Sequence, residues 1–263
     1  MIDRNSLVAL VFSDKSIRTL ADMSRDELTD LLGSDFARML KYDQNNQHHR
    51  LNLLEHSIEV AVGITPDGLS RDEFLDLRIA ALFHDIGKPL VMKKKNDRNV
   101  FYGHAESSMK LARILLPCYG FAQDKISRIL FFIQFHDAFI PFQLVEELSL
   151  CSNPYLKEIN HDNLSVALAG IVHDSRSEIG YLPKLRDFDL LLSRLCIADQ
   201  NAQSEIVFSH GKVIDTREAK KKRIEAIINV LKGYTGIADN PILLKSETQI
   251  RTTSAIRNDI FRL

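Results

Sequence analysis

Between residues 74 and 83 every side chain except Asp76 and Arg78 is apolar, so the stretch is hydrophobic nearly all round. That pattern predicts a buried central helix rather than a surface one. Gly87 and Pro89 follow in helix-stop order and close the segment 76–89, DLRIAALFHDIGKP. Residues 50–64 predict a second strongly apolar helix, interrupted by His56 on the face of Leu53 and Val60. His104 stands just before an amphipathic helix over 105–116, halted by Pro117. In 124–137, Ile126, Ile129, Ile133 and His136 fall on one stripe at helical spacing. Two more helices are expected at 164–174 and 184–203. In the second, Phe188, Leu192, Leu195 and Asp199 share a face, which puts a carboxylate where a hydrophobe belongs.

The remaining pattern is mostly connective. Residues 1–41 carry helical periodicity, with Ser24 and Glu27 as a capping box. A polar linker spans 43–49, and 65–71 is rich in turn formers. Residues 88–103 predict a loop bearing Lys88, Lys93, Lys94, Lys95 and Arg98. The stretch 138–160 is less regular apart from a short helix at 145–150. A hairpin is expected over 205–215 around His210-Gly211, followed by a helix at 216–234 with a basic start. The fold class is therefore all-α, with at most a short β-hairpin. It divides into a helical lead-in over 1–46, a main domain over 47–235, and a tail over 236–263 that packs on the domain or reaches a partner.

Composition narrows the function classes. The chain of 263 residues is 45% hydrophobic and 26% charged, as expected of a globular protein with a real core. A net charge of −1 argues against a general nucleic-acid coat and leaves only local basic patches. Cys118, Cys151 and Cys196 are odd in number and lack ligand spacing, so they read as reduced thiols in a cytoplasmic protein. No signal peptide is expected, and no apolar run reaches membrane-spanning length.

The chemistry lies in polar groups on apolar helices. His84 and Asp85 end the central helix, where an unpaired charge would cost several kcal/mol or take up a proton. His56, His136 and Asp199 also come from buried helices, and His104 from a helix start. Several buried titratable groups are costly unless they converge on something that satisfies them all. Imidazole and carboxylate donors without cysteine suit a divalent ion such as Mn, Ni, Co, Fe, Mg or Zn. Asp174 of His173-Asp174 is the alternative last carboxylate, with the core stripe favouring Asp199. His161-Asp162 reads as a helix N-terminal cap. Gly33-Ser34-Asp35 is similar to the opening of a nucleotidyltransferase motif, but the paired carboxylates that should follow are absent.

The order His56, His84-Asp85, His104, His136, Asp199 resembles the HD superfamily of metal-dependent phosphohydrolases. The resemblance covers roughly 50–203 and rests on LLEHSIEVA, LRIAALFHDIGKP, the GHAESS turn and LCIADQNAQ. Locally it is nearest to the HD domain of bacterial tRNA nucleotidyltransferases and poly(A) polymerases, here without the nucleotidyltransferase head. The resemblance implies an HD-domain helical bundle with His56, His84, Asp85 and Asp199 as primary metal ligands. It also implies that His104 and His136 hold a second ion, contact phosphate or protonate a leaving oxygen, so that one or two ions are bound. Phe135 stands before His136 where relatives often carry a second histidine. The expected reaction is hydrolysis of a nucleotide or RNA-end phosphate such as a 2′-, 3′- or 2′,3′-cyclic phosphate, with Asp85, Lys88, His104 and His136 catalytic. The same ligand set also resembles di-iron oxygenases related to myo-inositol oxygenase, and a non-catalytic nucleotide- or RNA-binding module is the third reading.

Overall fold

The computed structural model describes residues 2–45, 50–149, 154–203, 206–209 and 212–233. Arg4–Phe12 (α1), Asp14–Arg18 (α2), Arg25–Leu32 (α3) and Ser34–Ala37 (α4) lead into Leu53–Gly63 (α5) and Arg71–Phe83 (α6). The short helix Lys88–Val91 (α7) and a hairpin of Lys93–Lys95 (β1) and Arg98–Val100 (β2) precede His104–Cys118 (α8) and Gln123–Phe135 (α9). Phe142–Gln143 (β3) pairs in parallel with Lys157–Glu158 (β4) around Val145–Leu148 (α10). His161–Asp174 (α11), Ser193–Ala202 (α12), the antiparallel pair Ile206–Ser209 (β5) and Lys212–Asp215 (β6), and Thr216–Leu231 (α13) follow. The fold is helical, as the apolar pattern predicts. It carries three two-stranded ladders among the described residues, more strand than the one hairpin expected.

Helix α6 is the centre of the bundle, and Glu73 through Phe83 are all buried. It packs against α5 on one side and α9 on the other, with α8 against α9, α12 against α5, and α13 against α12. Capping boxes start three of the helices. Ser24 with Glu27, Asn52 with Glu55 and Ser70 with Glu73 each exchange side-chain and backbone hydrogen bonds, satisfying donors that the first turn leaves open.

The two polar residues of the apolar stretch have dedicated partners. Arg78 donates to the carbonyls of Val11 (2.9 Å) and Ile64 (3.2 and 3.3 Å) and pairs with Asp14, which ties α1 and α2 to the bundle. Asp76 receives Lys125 and Arg128 from α9, each at 3.3 Å. Burial nevertheless pushes its carboxyl up to about 6.

Several local expectations change. The basic loop is instead α7 followed by the β1–β2 hairpin. Its turn residues Asn96 and Asp97 have φ of 49° and 59°, the left-handed geometry that a two-residue hairpin requires. Pro117 lies inside the last turn of α8, which runs on to Cys118. The N-cap of α11 is Asn160, whose side chain accepts from Asn163 N at 2.9 Å, and His161-Asp162 occupy the first two helical positions. Residues Asp187–Leu192 are π-helical, so the stripe from Phe188 to Asp199 is not one continuous α-helix. Its members Phe188, Leu192 and Leu195 are buried all the same. The β5–β6 pair lies where the hairpin was expected, while its turn at His210-Gly211, the 236–263 tail and Cys151 lie outside the described residues. No helix among the described residues is long and apolar enough to cross a membrane.

Candidate metal centre

His84 and Asp85 leave α6 together. His84 is the C-cap of the helix and Asp85 the next residue of the turn that joins α6 to α7. Gly87 lets that turn lie flat against α8. Its amide donates to Ser108 Oγ at 2.9 Å, and a Cβ there would meet Ser108 N at 2.4 Å. Its φ of −82° is ordinary, so close approach is what calls for glycine.

The other side chains arrive from four helices. His56 projects from the middle of α5 and is fully buried. His104 is the first residue of α8, aimed inward by Gly103 at φ 77°. His136 caps the C-terminus of α9, and Asp199 lies on α12. All six side chains singled out from the sequence thus come together. Asp174 does not join them: it sits at the end of α11, where its charge helps to raise the carboxyl of Glu178.

Asp85 faces two different groups with its two oxygens. Its Oδ2 lies 3.1 Å from His84 Nε2 and 3.6 Å from His56 Nε2. Asp199 Oδ1 closes this first group at 2.9 Å from His56 Nε2 and 3.7 Å from His84 Nε2. On the other side, Asp85 Oδ1 lies 3.4 Å from His104 Nε2 and 3.9 Å from His136 Nε2. In each of the sets His56/His84/Asp85 and Asp85/His104/His136, the donor atoms all lie within 4.8 Å of one another.

Three of the rings have their tautomers set by backbone carbonyls. The Nδ1 atoms of His84, His104 and His136 lie 2.6, 3.0 and 2.8 Å from the carbonyls of Ala81, Phe101 and Ile133. A carbonyl only accepts, so each Nδ1 carries the hydrogen, and a neutral ring presents a bare Nε2 lone pair. Ala81 and Ile133 are in the last turns of α6 and α9, where carbonyls lack helical partners and the dipole is negative. Two helix C-termini therefore orient His84 and His136 and favour positive charge between them.

A cation fits this donor set. His104 Nε2 and His136 Nε2 are only 3.1 Å apart, so two neutral rings turn lone pairs toward each other. Burial lowers both rings, His136 to about 4, which keeps them neutral at pH 7. Asp85 Oδ1 and His84 Nε2 are buried without a well-formed hydrogen bond. In the first group, burial opposes charging His84, but the carboxylates of Asp85 and Asp199 outweigh it and push the ring up to about 10. Both carboxylates stay well below their usual range despite burial, held there by the imidazoles that face them, His84 on Asp85 and His56 with His84 on Asp199. Each half is thus a nitrogen and oxygen site that gains from a divalent ion.

Lys88 stands beside this centre. Its Nζ donates to Asp85 Oδ2 at 2.6 Å and to Gln44 Oε1 at 2.8 Å, and the residue is 5% exposed. Two of the three ammonium donors are thereby engaged. Outside the centre opens a cavity of about 750 Å³, lined by Asp85, His104, His136 and Asp199, by Lys95 and Arg98 of the hairpin, and by Lys220 and Arg223 of α13. Phe101, Phe139, Ile140 and Phe142 give it an apolar wall. Sequence reasoning missed Gln44, which it placed in a linker, and Asp137, whose charge raises His104 and His136 against burial. It also missed Lys220, which the pattern marks only as part of a basic helix start.

Comparison with known proteins agrees with this arrangement. The HD domain family model matches residues 49–137, which hold His56, His84, Asp85, His104 and His136. A CC-adding tRNA nucleotidyltransferase of Thermus thermophilus is 28% identical over 135 residues, 51% of this chain. The chain spans 30% of that relative's length. Residues 49–137 thus match the HD domain, and the chain is similar over 135 residues to a tRNA nucleotidyltransferase.

Proposed function

We propose that the protein is a metal-dependent phosphohydrolase acting on a nucleotide or RNA-end phosphate. The observation that carries this reading is the division of Asp85: Oδ2 serves His56, His84 and Asp199, while Oδ1 serves His104 and His136. A carboxylate shared in this way suits two divalent ions, one per group. When bound, such ions supply Lewis acidity and an acidified water, the usual needs of phosphate-ester hydrolysis. Lys88 holds Asp85 ionised and fixed in orientation. Asp199 completes the first group from α12, which extends the working domain beyond the matched segment. The cavity admits a molecule of nucleotide size. Its basic and apolar linings suit a phosphate joined to a base or sugar. The relative named for adding CC to tRNA makes an RNA end a natural candidate.

Phosphate release from 2′- and 3′-nucleotides, 2′,3′-cyclic nucleotides and 5′-nucleotides, each with Mn, Ni, Co, Fe, Mg and Zn, tests the proposal. One class is expected to turn over with a preferred metal. Asp85→Ala is expected to lose at least about 100-fold, beyond the cost of removing a mere outer partner. Unchanged hydrolysis in Asp85→Ala refutes the assigned role, and iron-dependent dioxygen uptake without phosphate release refutes the reaction class.

A further inference from the structure

The cations lining the cavity are not equivalent. The charge of Lys88 is directed at Asp85, and Arg223 gives Nε and Nη2 to the Glu147 carboxylate at 2.6 and 2.8 Å. Lys95 is exposed on β1. Lys220 differs from all three. It is half-buried, its Nζ donates to the neutral Gln203 Oε1, and among the described residues no carboxylate lies in ion-pair range of it. Burial accordingly lowers its pKa, with the charge of Asp199 opposing.

Lys220 is also held at the edge of the metal centre. An ammonium only donates, so it turns the Gln203 amide oxygen toward itself and the amide nitrogen toward Asp199 Oδ2, 3.4 Å away. Asp199 Oδ1 remains turned to His56. Two donors of Lys220 are left over, and the residue lines the cavity together with His104, His136 and Asp199.

We propose that Lys220 binds the non-bridging oxygens of the substrate phosphoryl group, which makes α13, beyond the 49–137 segment, part of the substrate-binding apparatus. The role rests on the phosphohydrolase reading above. It accounts for a costly half-buried cation that has no carboxylate in ion-pair range among the described residues, since a dianion would supply opposite charge. A charge-assisted hydrogen bond of this kind is worth about tenfold or more in affinity.

Calorimetric titration of inorganic phosphate into the manganese-loaded full chain tests it without any turnover. Lys220→Met is expected to weaken phosphate binding about tenfold or more. Manganese affinity and stoichiometry should stay unchanged, and Lys220→Arg should recover most of the loss. Gln203→Leu separates direct from indirect action, and phosphate affinity near that of the unaltered protein is expected. The proposal is overturned if Lys220→Met binds phosphate within twofold of the unaltered protein, if its manganese affinity falls in parallel, or if Gln203→Leu reproduces the loss. It is also overturned if the unaltered, manganese-loaded protein does not bind phosphate. Phosphate binding that depends on Lys220, with no ester hydrolysed, would instead sink the phosphohydrolase reading and leave this role standing.

Discussion

At the residue scale, the site depends on which atom of each side chain is left free. Carbonyls take the Nδ1 hydrogens of His84, His104 and His136, so Nε2 is the atom presented to the centre. Lys88 and Gln44 fix Asp85 from outside. Gly87 does its part by having no side chain, because a Cβ would strike Ser108 N at 2.4 Å and Ser107 C at 2.7 Å, both backbone atoms. Gly87→Ala is therefore expected to destabilise the protein by about 1–3 kcal/mol, the usual cost of overpacking. The same displaced turn carries His84 and Asp85, so metal affinity should fall with stability. Denaturant unfolding alongside metal titration checks both, and full metal affinity in a destabilised variant would show that the turn and the ligands are not coupled.

At the element scale, ion pairs join α6 to its neighbours. Arg186 holds the Glu73 carboxylate through Nε at 2.7 Å and Nη2 at 3.0 Å, and donates to the Gly68 carbonyl at 2.8 Å. The Arg186 hydrogen bond lowers Glu73 to about 2, against burial. A carboxyl depressed in the folded state adds stability above its unfolded pKa, roughly 4.3, and loses it as pH falls toward the folded value. Arg186 is 51% exposed at its side chain, so solvent screening limits the pair to about 1 kcal/mol. Arg186→Met should cost about that much at pH 7, and the difference from the unaltered protein should shrink as pH falls from about 4.3 toward 2. Urea melts across that range measure it, and a difference independent of pH would assign the effect to the Gly68 contact instead.

At the scale of the whole molecule, the centre is where α5, the turn after α6, α8, α9 and α12 meet. Ions bound there would bind the folded chain far better than the unfolded one. Metal at 100 times its Kd is expected to add about 2.7 kcal/mol of stability. For a chain of this size that raises Tm by roughly 5–10 °C. Thermal melts with and without manganese, before and after a chelator, read this directly. Asp85→Asn should abolish the shift, and an unchanged shift would place the stabilising ion elsewhere.

The sequence by itself determined the helical class, the buried α6 and the identity of the six side chains that meet. Histidines and carboxylates on apolar stripes are costly enough to stand out, because burial leaves them few alternatives. The Ser24–Glu27 cap and the second hairpin were legible for a similar reason, since both are local. Other features depended on contacts distant in the chain. Periodicity gives a direction from one helix axis and no distance between helices, so it left Asp174 as a rival to Asp199 and left one or two ions open. Only the packing of α12 against α5 brings Asp199 to His56, and only the meeting of α8 and α9 sets His104 against His136 on the far oxygen of Asp85. Gln44 and Lys220 had no local signal at all. A polar linker residue and a surface-type lysine become parts of the site through neighbours 44 and 17 positions away in the chain.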